Sequence, residues 1–225
     1  MTSFNPKLII FDLDGTLVDS VPDLVTAINK ALVSLQQATH SENEIRQWVG
    51  NGAELLIKRA LTGEQKPSDT PENFVLAMDL FNQFYSENVC AKSTLYPGVI
   101  EGLEMIKQSG IAIACVTNKP EKFTLPLLAH LGIKHYFQCI ASGDTYSVMK
   151  PDPLPLLETA KKFDIKEEHC LMVGDSINDI QAGRRAGFKT AAVSYGYAGE
   201  YTIDELAADL IVARLDQLLD YLVTL

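Results

Sequence analysis

A Rossmann-like, doubly wound parallel α/β sheet carrying an inserted α-helical cap is the fold this sequence predicts, on three observations. From residue 98 onward, short apolar runs of strand length alternate with stretches of helical periodicity, the pattern of an open parallel sheet with helices on both faces. Between residues 18 and 94 helical spacing continues without an evident strand, which marks an insertion. The residues just after successive apolar runs are acidic, hydroxylic or basic, and ligands of open parallel sheets bind beyond the carboxyl ends of the strands. The expected division is an α/β core of residues 1–17 and 95–225 with a helical cap of residues 18–94.

Each element has a local reason. Residues 7–11, Lys-Leu-Ile-Ile-Phe, form an apolar branched run that reads as a strand buried on both faces. Ser20 can cap a helix with Pro22 in its first turn and Val21, Leu24, Val25, Ile28, Leu32 and Leu35 along one face. Ser41 and Glu44 have capping-box spacing for a short helix through Trp48, which Gly50-Asn51-Gly52 breaks before another helix over 53–61. Thr70-Pro71 opens a long helix with Phe74, Val75, Met78, Phe81, Phe84 and Tyr85 on its apolar face, and Tyr96-Pro97-Gly98 closes the insertion. Helices are then expected over 98–109, 121–131, 153–163 and 177–186, three of them stopped by Gly110, Gly132 and Gly187. Strands are expected over 111–116, 136–141, 170–173, 189–193 and 210–212, with a final helix over 215–223.

At 225 residues the chain can bury a large core, and 47% hydrophobic with 21% charged residues is ordinary for a globular protein. A net charge of -10 argues against nucleic acid or an anionic membrane as partner, so an anionic substrate must be attracted by a local site. The cysteines at 90, 115, 139 and 170 and the histidines at 40, 130, 135 and 169 show no metal-ligand spacing. With no signal peptide and no apolar run of membrane length, a cytoplasmic location is expected. Oligomeric state stays open.

The chemistry starts at Asp12-Leu13-Asp14-Gly15-Thr16, directly after the first strand. In an extended chain a spacing of two puts both carboxylates on one side, where they repel unless a cation sits between them. A hard divalent ion with oxygen ligands, most simply Mg2+, is the expected partner. An EF-hand is excluded, because Gly15 falls at the fourth position and no Glu stands at the twelfth. The second strand leads into Thr117-Asn118-Lys119-Pro120, the third into a loop with Lys150-Pro151, and the fourth into Gly174-Asp175-Ser176 with Asp179 in the next helical turn. Taken singly, Thr117 and Ser176 read equally well as helix caps, Lys150 as a solvated lysine, and Asp175 and Asp179 as answers to a helix dipole. Their convergence at one sheet edge favours a site.

In order and across the whole chain, Asp12-Leu13-Asp14-Gly15-Thr16, Thr117, Lys150 and Gly174-Asp175-Ser176 with Asp179 resemble the four motifs of the haloacid dehalogenase superfamily. Trp48-Val49-Gly50-Asn51-Gly52-Ala53, Val116-Thr117-Asn118-Lys119-Pro120 and Tyr195-Gly196-Tyr197 are similar to stretches of its bacterial phosphoglycolate phosphatase branch. The resemblance implies a Mg2+-dependent hydrolase of phosphate monoesters that works through an aspartyl-phosphate, with a mobile cap. It implies that Asp12 is the nucleophile, that Asp14 is the general acid and base, and that Asp12, the Asp14 carbonyl and Asp175 hold the metal. Thr117 and the N–H groups around Leu13 and Asn118 would bind the phosphoryl oxygens, with Lys150 supplying positive charge. Thr16, Ser176 and Asp179 would support these groups, Asp179 by holding a metal-bound water or positioning Lys150. Asn51 in the cap is a candidate substrate contact, and Lys119, Arg46, Lys58 and Arg59 are candidate partners for a substrate carboxylate. The expected substrate is a small anionic phosphate ester, 2-phosphoglycolate first. A sugar-phosphate mutase like beta-phosphoglucomutase, or a sugar, nucleotide or pyrophosphate phosphatase of the same fold, are the alternatives.

Overall fold

The structure is a computed structural model that describes residues 4–222. In chain order it runs β1 (Leu8–Phe11), β2 (Val18–Asp19), α1 (Val21–Ser34), α2 (Glu42–Trp48), α3 (Ala53–Thr62), α4 (Phe74–Glu87), β3 (Thr94–Leu95) and α5 (Val99–Gln108). There follow β4 (Ala112–Val116), α6 (Glu121–His130), β5 (Cys139–Ala141), α7 (Leu154–Lys162), β6 (Cys170–Gly174), α8 (Ile177–Arg185), β7 (Lys189–Val193), α9 (Ile203–Leu206), β8 (Leu210–Val212) and α10 (Leu218–Leu222). Six strands form one parallel sheet in the order β5-β4-β1-β6-β7-β8. Among the described residues no helix is long and apolar enough to cross a membrane.

The central strands β1, β4 and β6 carry only apolar residues and glycine, because both faces of the sheet are covered there. Along β1, Ile9 and Phe11 enter one core while Leu8 and Ile10 enter the other. The first core continues through Ile113, Cys115, Leu171 and Val173 into the helices α1 to α6. The second uses small residues, Ala114, Ala160, Ala182 and Ala186, which let α7 and α8 lie close to the sheet. Burying a side chain such as Ile9 or Phe11 stabilises by roughly 1.5–3 kcal/mol, so the centre of the sheet is the rigid frame on which the neighbouring loops are mounted.

Several expectations are corrected. The stretch of residues 18–94 is not purely helical: its first and last residues pair as β2 and β3, Val18 with Leu95 and Asp19 with Thr94, antiparallel. Two-residue strands carry no periodicity to read. The long helix begins at Phe74, not beside Thr70-Pro71, and Val75 is exposed instead of lining its apolar face. Ser20 stands at the start of α1 but makes no capping bond, and its hydroxyl is buried without a partner. Residues 134–136 form a 3-10 turn, which shortens the third expected strand to β5. The last expected helix is a 3-10 turn leading into α10, and Val223 lies outside the described residues.

Candidate active site

Three neighbouring strands set the site. β4, β1 and β6 lie side by side and end at Thr117, Asp12 and Asp175. The chain leaves β1 sharply because Gly15 adopts φ +87°, and a Cβ there would lie 2.2 Å from Asp175 Oδ2. Only glycine lets the loop bend and approach Asp175 so closely.

Lys150, on the loop after β5, is almost fully buried. Its Nζ donates to Asp12 Oδ1 at 2.8 Å, Asp179 Oδ1 at 2.7 Å and the Val116 carbonyl at 2.6 Å, using all three protons. Its backbone is clamped by Asn118, whose side chain donates to the Lys150 carbonyl and accepts from its N–H. Ser176 donates from its N–H and Oγ to Asp179 Oδ2, so both Asp179 oxygens are engaged and the residue is fixed against Lys150. Asp175 accepts from Thr16 Oγ1 at 2.8 Å and from the Tyr197 N–H at 2.6 Å. The N–H groups of Leu13 and Asn118 have no acceptor among the described residues.

Electrostatics follow from this burial. Desolvation pushes Asp12 up to about 6 from its ordinary 3.8, with Asp179 and Asp14 adding to the rise and Lys150 opposing it. Burial, then Asp179 and Asp12, hold Asp175 well above the usual carboxylate range. Burial pulls both Lys119 and Lys150 down, but Asp14 and Tyr85 around the first and Asp12 and Asp179 around the second more than offset it, so both stay charged.

This donor set fits a divalent cation. One oxygen each from Asp12, Asp175 and Asp179 lies within 4.8 Å of the others, all three residues being buried. With all four ionised, the carboxylates of Asp12, Asp14, Asp175 and Asp179 would exceed the two ammonium groups of Lys119 and Lys150 by two charges, an excess that a divalent cation would neutralise. Hard oxygen ligands with that charge suit Mg2+.

A cavity of about 40 Å3 opens beside Asp12 and Asp14, lined also by Thr117, Lys119, Gly50, Tyr85, Phe81 and Phe123. At 10–15 Å3 per water it has room for roughly three waters. Residues of the insertion border it: the Gly50 carbonyl accepts from the side chains of Asn118 and Asn178, each at 3.1 Å. The structure brings Asp12, Asp14, Thr117, Asn118 and Lys119 together around this cavity but not Asn51. Asn51 Oδ1 accepts from Arg59, and Asn51 faces a second cavity with Arg59, Ser176 and Tyr201.

Two residues escaped sequence reasoning. Tyr85, read only as part of an apolar face, puts its hydroxyl 2.7 Å from Lys119 Nζ. Tyr197 holds Asp175 through its backbone and bonds Asp19 through its hydroxyl, tying the Asp175 carboxylate to β2. The Tyr195-Gly196-Tyr197 string was the available signal: a Cβ at Gly196 would lie 2.2 Å from that of Asp175.

Comparisons with known proteins agree with this geometry. A family model described as haloacid dehalogenase-like hydrolase matches residues 9–193. The chain is 44% identical over 210 residues to a phosphoglycolate phosphatase of Nitrosococcus oceani, covering 93% of each. It is 42% identical over 215 residues to phosphoglycolate phosphatase 1 of Pseudomonas aeruginosa, covering 95% of this chain and 79% of that one. The crystal structure of a predicted phosphoglycolate phosphatase from Haemophilus somnus superposes with a TM-score of 0.89 at 40% identity, over 98% of both chains.

Proposed function

This chain belongs to the haloacid dehalogenase-like hydrolase family, and on that premise we propose that it hydrolyses 2-phosphoglycolate to glycolate and phosphate through an aspartyl-phosphate. The observation that carries the reading is a nucleophile-bearing sheet edge, with Asp12 held by Lys150, opening into a small cavity flanked by Asp14 and Lys119. The 42–44% identical relatives named phosphoglycolate phosphatase support the choice of substrate. In this reading residues 18–94 act as the cap and the rest as the core.

Lys150 engages Asp12 Oδ1 and leaves Oδ2 without a donor among the described residues. That oxygen attacks phosphorus, forming the aspartyl–phosphorus bond as the bond to the glycolate oxygen breaks. Asp14, once it has taken up a proton from solvent, gives that proton to the departing oxygen, since a free alkoxide is a poor leaving group. Asp14 then takes a proton from water, which attacks phosphorus, breaks the aspartyl bond and frees phosphate. Thr117 and the N–H groups of Leu13 and Asn118 bind the phosphoryl oxygens, and Lys150 adds positive charge. When bound by Asp12, Asp175 and the Asp14 carbonyl, Mg2+ supplies charge that offsets the repulsion between a phosphate dianion and the carboxylates.

A panel of phosphate esters with and without Mg2+, read by released phosphate, tests this. 2-Phosphoglycolate is expected to lead, and activity to vanish with chelator. A clear preference for hexose phosphates, or glucose 6-phosphate formed from glucose 1-phosphate without free phosphate, would replace the reading with a sugar phosphatase or a mutase.

The metal has a second readout. Because the folded pKa of Asp12 is raised to about 6 from 3.8, the folded metal-free protein binds more protons than the unfolded chain between these values. Its stability contribution therefore falls as pH rises through that window, and Asp175 shifts in the same direction. Mg2+ at 100 times its Kd is expected to add about 2.7 kcal/mol, or roughly 5–10 °C in Tm, at pH 7.5. At pH 5 the gain is expected to shrink, because protons compete for the same carboxylates. A Tm gain that is equal at both pH values would remove these acids as the binding site.

A further inference from the structure

Four cations are candidates to read a substrate carboxylate, and the structure commits three of them elsewhere. Arg46 is taken by Asp19 and Glu42 and lies over the Tyr197 ring. Arg59 donates from Nε to the Gln65 carbonyl and from Nη1 to the Trp48 carbonyl and Asn51 Oδ1, and it faces the second cavity. Lys58 sits over Phe74, outside the residues that line the reaction cavity.

Lys119 is different. Its side chain is 3% exposed and lines the cavity beside Asp12 and Asp14. Nζ lies 3.1 Å from each Asp14 oxygen and 2.7 Å from Tyr85 Oη, above the Tyr85 ring. The Tyr85 hydroxyl accepts that bond, and its own proton has no acceptor among the described residues. An ammonium and a free O–H therefore meet at one wall of the cavity, the donor pair a carboxylate requires.

The same contact occupies Asp14. Both oxygens of the group that must reach the leaving oxygen are held by Lys119, whereas a general acid has to present one of them to the substrate.

We propose that Lys119, with Tyr85 of the cap, binds the carboxylate of the substrate, and that this exchange of partners releases Asp14 to act on the leaving oxygen. The inference rests on the phosphoglycolate reading and adds a substrate-dependent switch to it. An ester without a carboxylate leaves Lys119 on Asp14, so it is penalised in kcat as well as in KM. The carboxylate thus selects the substrate by completing the catalytic arrangement, as induced fit does.

The test compares 2-phosphoglycolate with ethyl phosphate, an ester of the same carbon number lacking the carboxylate, in wild-type enzyme, Lys119→Met and Lys119→Arg. Wild type is expected to prefer 2-phosphoglycolate. Lys119→Met is expected to lose on the order of 10- to 100-fold in kcat/KM for it, the range for a hydrogen bond to a charged group. Its loss on ethyl phosphate should be smaller, so that the ratio between the two esters narrows, and Lys119→Arg should recover part of the preference. Inhibition by glycolate of the turnover of p-nitrophenyl phosphate gives a readout of binding, and it should weaken in Lys119→Met and in Tyr85→Phe. Equal losses on both esters in Lys119→Met, or a preference that it retains, would overturn the switch and leave the substrate reading standing. Absence of the preference in wild type would overturn both. Should Lys119→Met fail to fold, Tyr85→Phe decides: unchanged glycolate inhibition counts against the proposal.

Discussion

Asp12→Asn is expected to stop phosphate release, with a loss on the order of 10^4-fold or more, the scale on which removal of a covalent nucleophile is felt. The amide keeps the size and the acceptor that Lys150 uses on Oδ1, but it cannot supply a carboxylate oxygen to phosphorus. The fold is expected to survive, because burial already pushes Asp12 up to about 6 and Asp179 and Asp14 repel its charge. A neutral side chain there relieves repulsion in the metal-free protein. Acid quench after exposure to labelled 2-phosphoglycolate should trap phosphate on the wild-type chain and none on the variant. Release at a near-normal rate would remove Asp12 from the nucleophile's role.

Lys150→Met is the change with the largest expected effect on stability. Its ammonium is the shared donor of Asp12, Asp179 and the Val116 carbonyl in an environment closed to water. Removing one partner of a buried charged network costs about 3–5 kcal/mol, roughly 10 °C in Tm for a chain of this size. Activity should fall with it, by on the order of 10^2-fold or more, as for the loss of a preorganised electrostatic group. Lowering the pH from 7.5 to 5 should return part of the lost stability, since protonating Asp12 removes the unpaired charge. Denaturant titration at the two pH values checks this. Lys66→Met is the control: Lys66 pairs with Glu200 at 3.4 Å but is 84% exposed, and such pairs are worth little. If the two variants were equally stable, Lys150 would not be the keystone of the site.

The strands and the residues that follow them were legible because the signals are local. β4 and β6 fall where apolar runs stand in the sequence, since a strand covered on both faces is apolar throughout, and β7 and β8 are marked by the shorter apolar stretches 191–193 and 210–212. Asp12, Thr117 and Asp175 could be picked out because each directly follows such a run, whereas Lys150 stands further along the loop after β5. β2 and β3 were missed, being two residues each and stabilised by pairing across the whole insertion. Val75 is expected on the apolar face from helical period alone, although the helix turns it outward.

By itself, then, the sequence determined the sheet, the helical insertion and the acidic, hydroxylic and basic groups mounted at the strand ends, because hydrophobic period and strand-end position are properties of neighbours in the chain. Only the tertiary structure decided that Lys119 faces Asp14 and Tyr85, that Asn51 turns to another cavity, and that Tyr197 braces Asp175. These contacts join separate elements, and a side chain's partner there is fixed by how those elements pack together, which no local pattern of residues encodes.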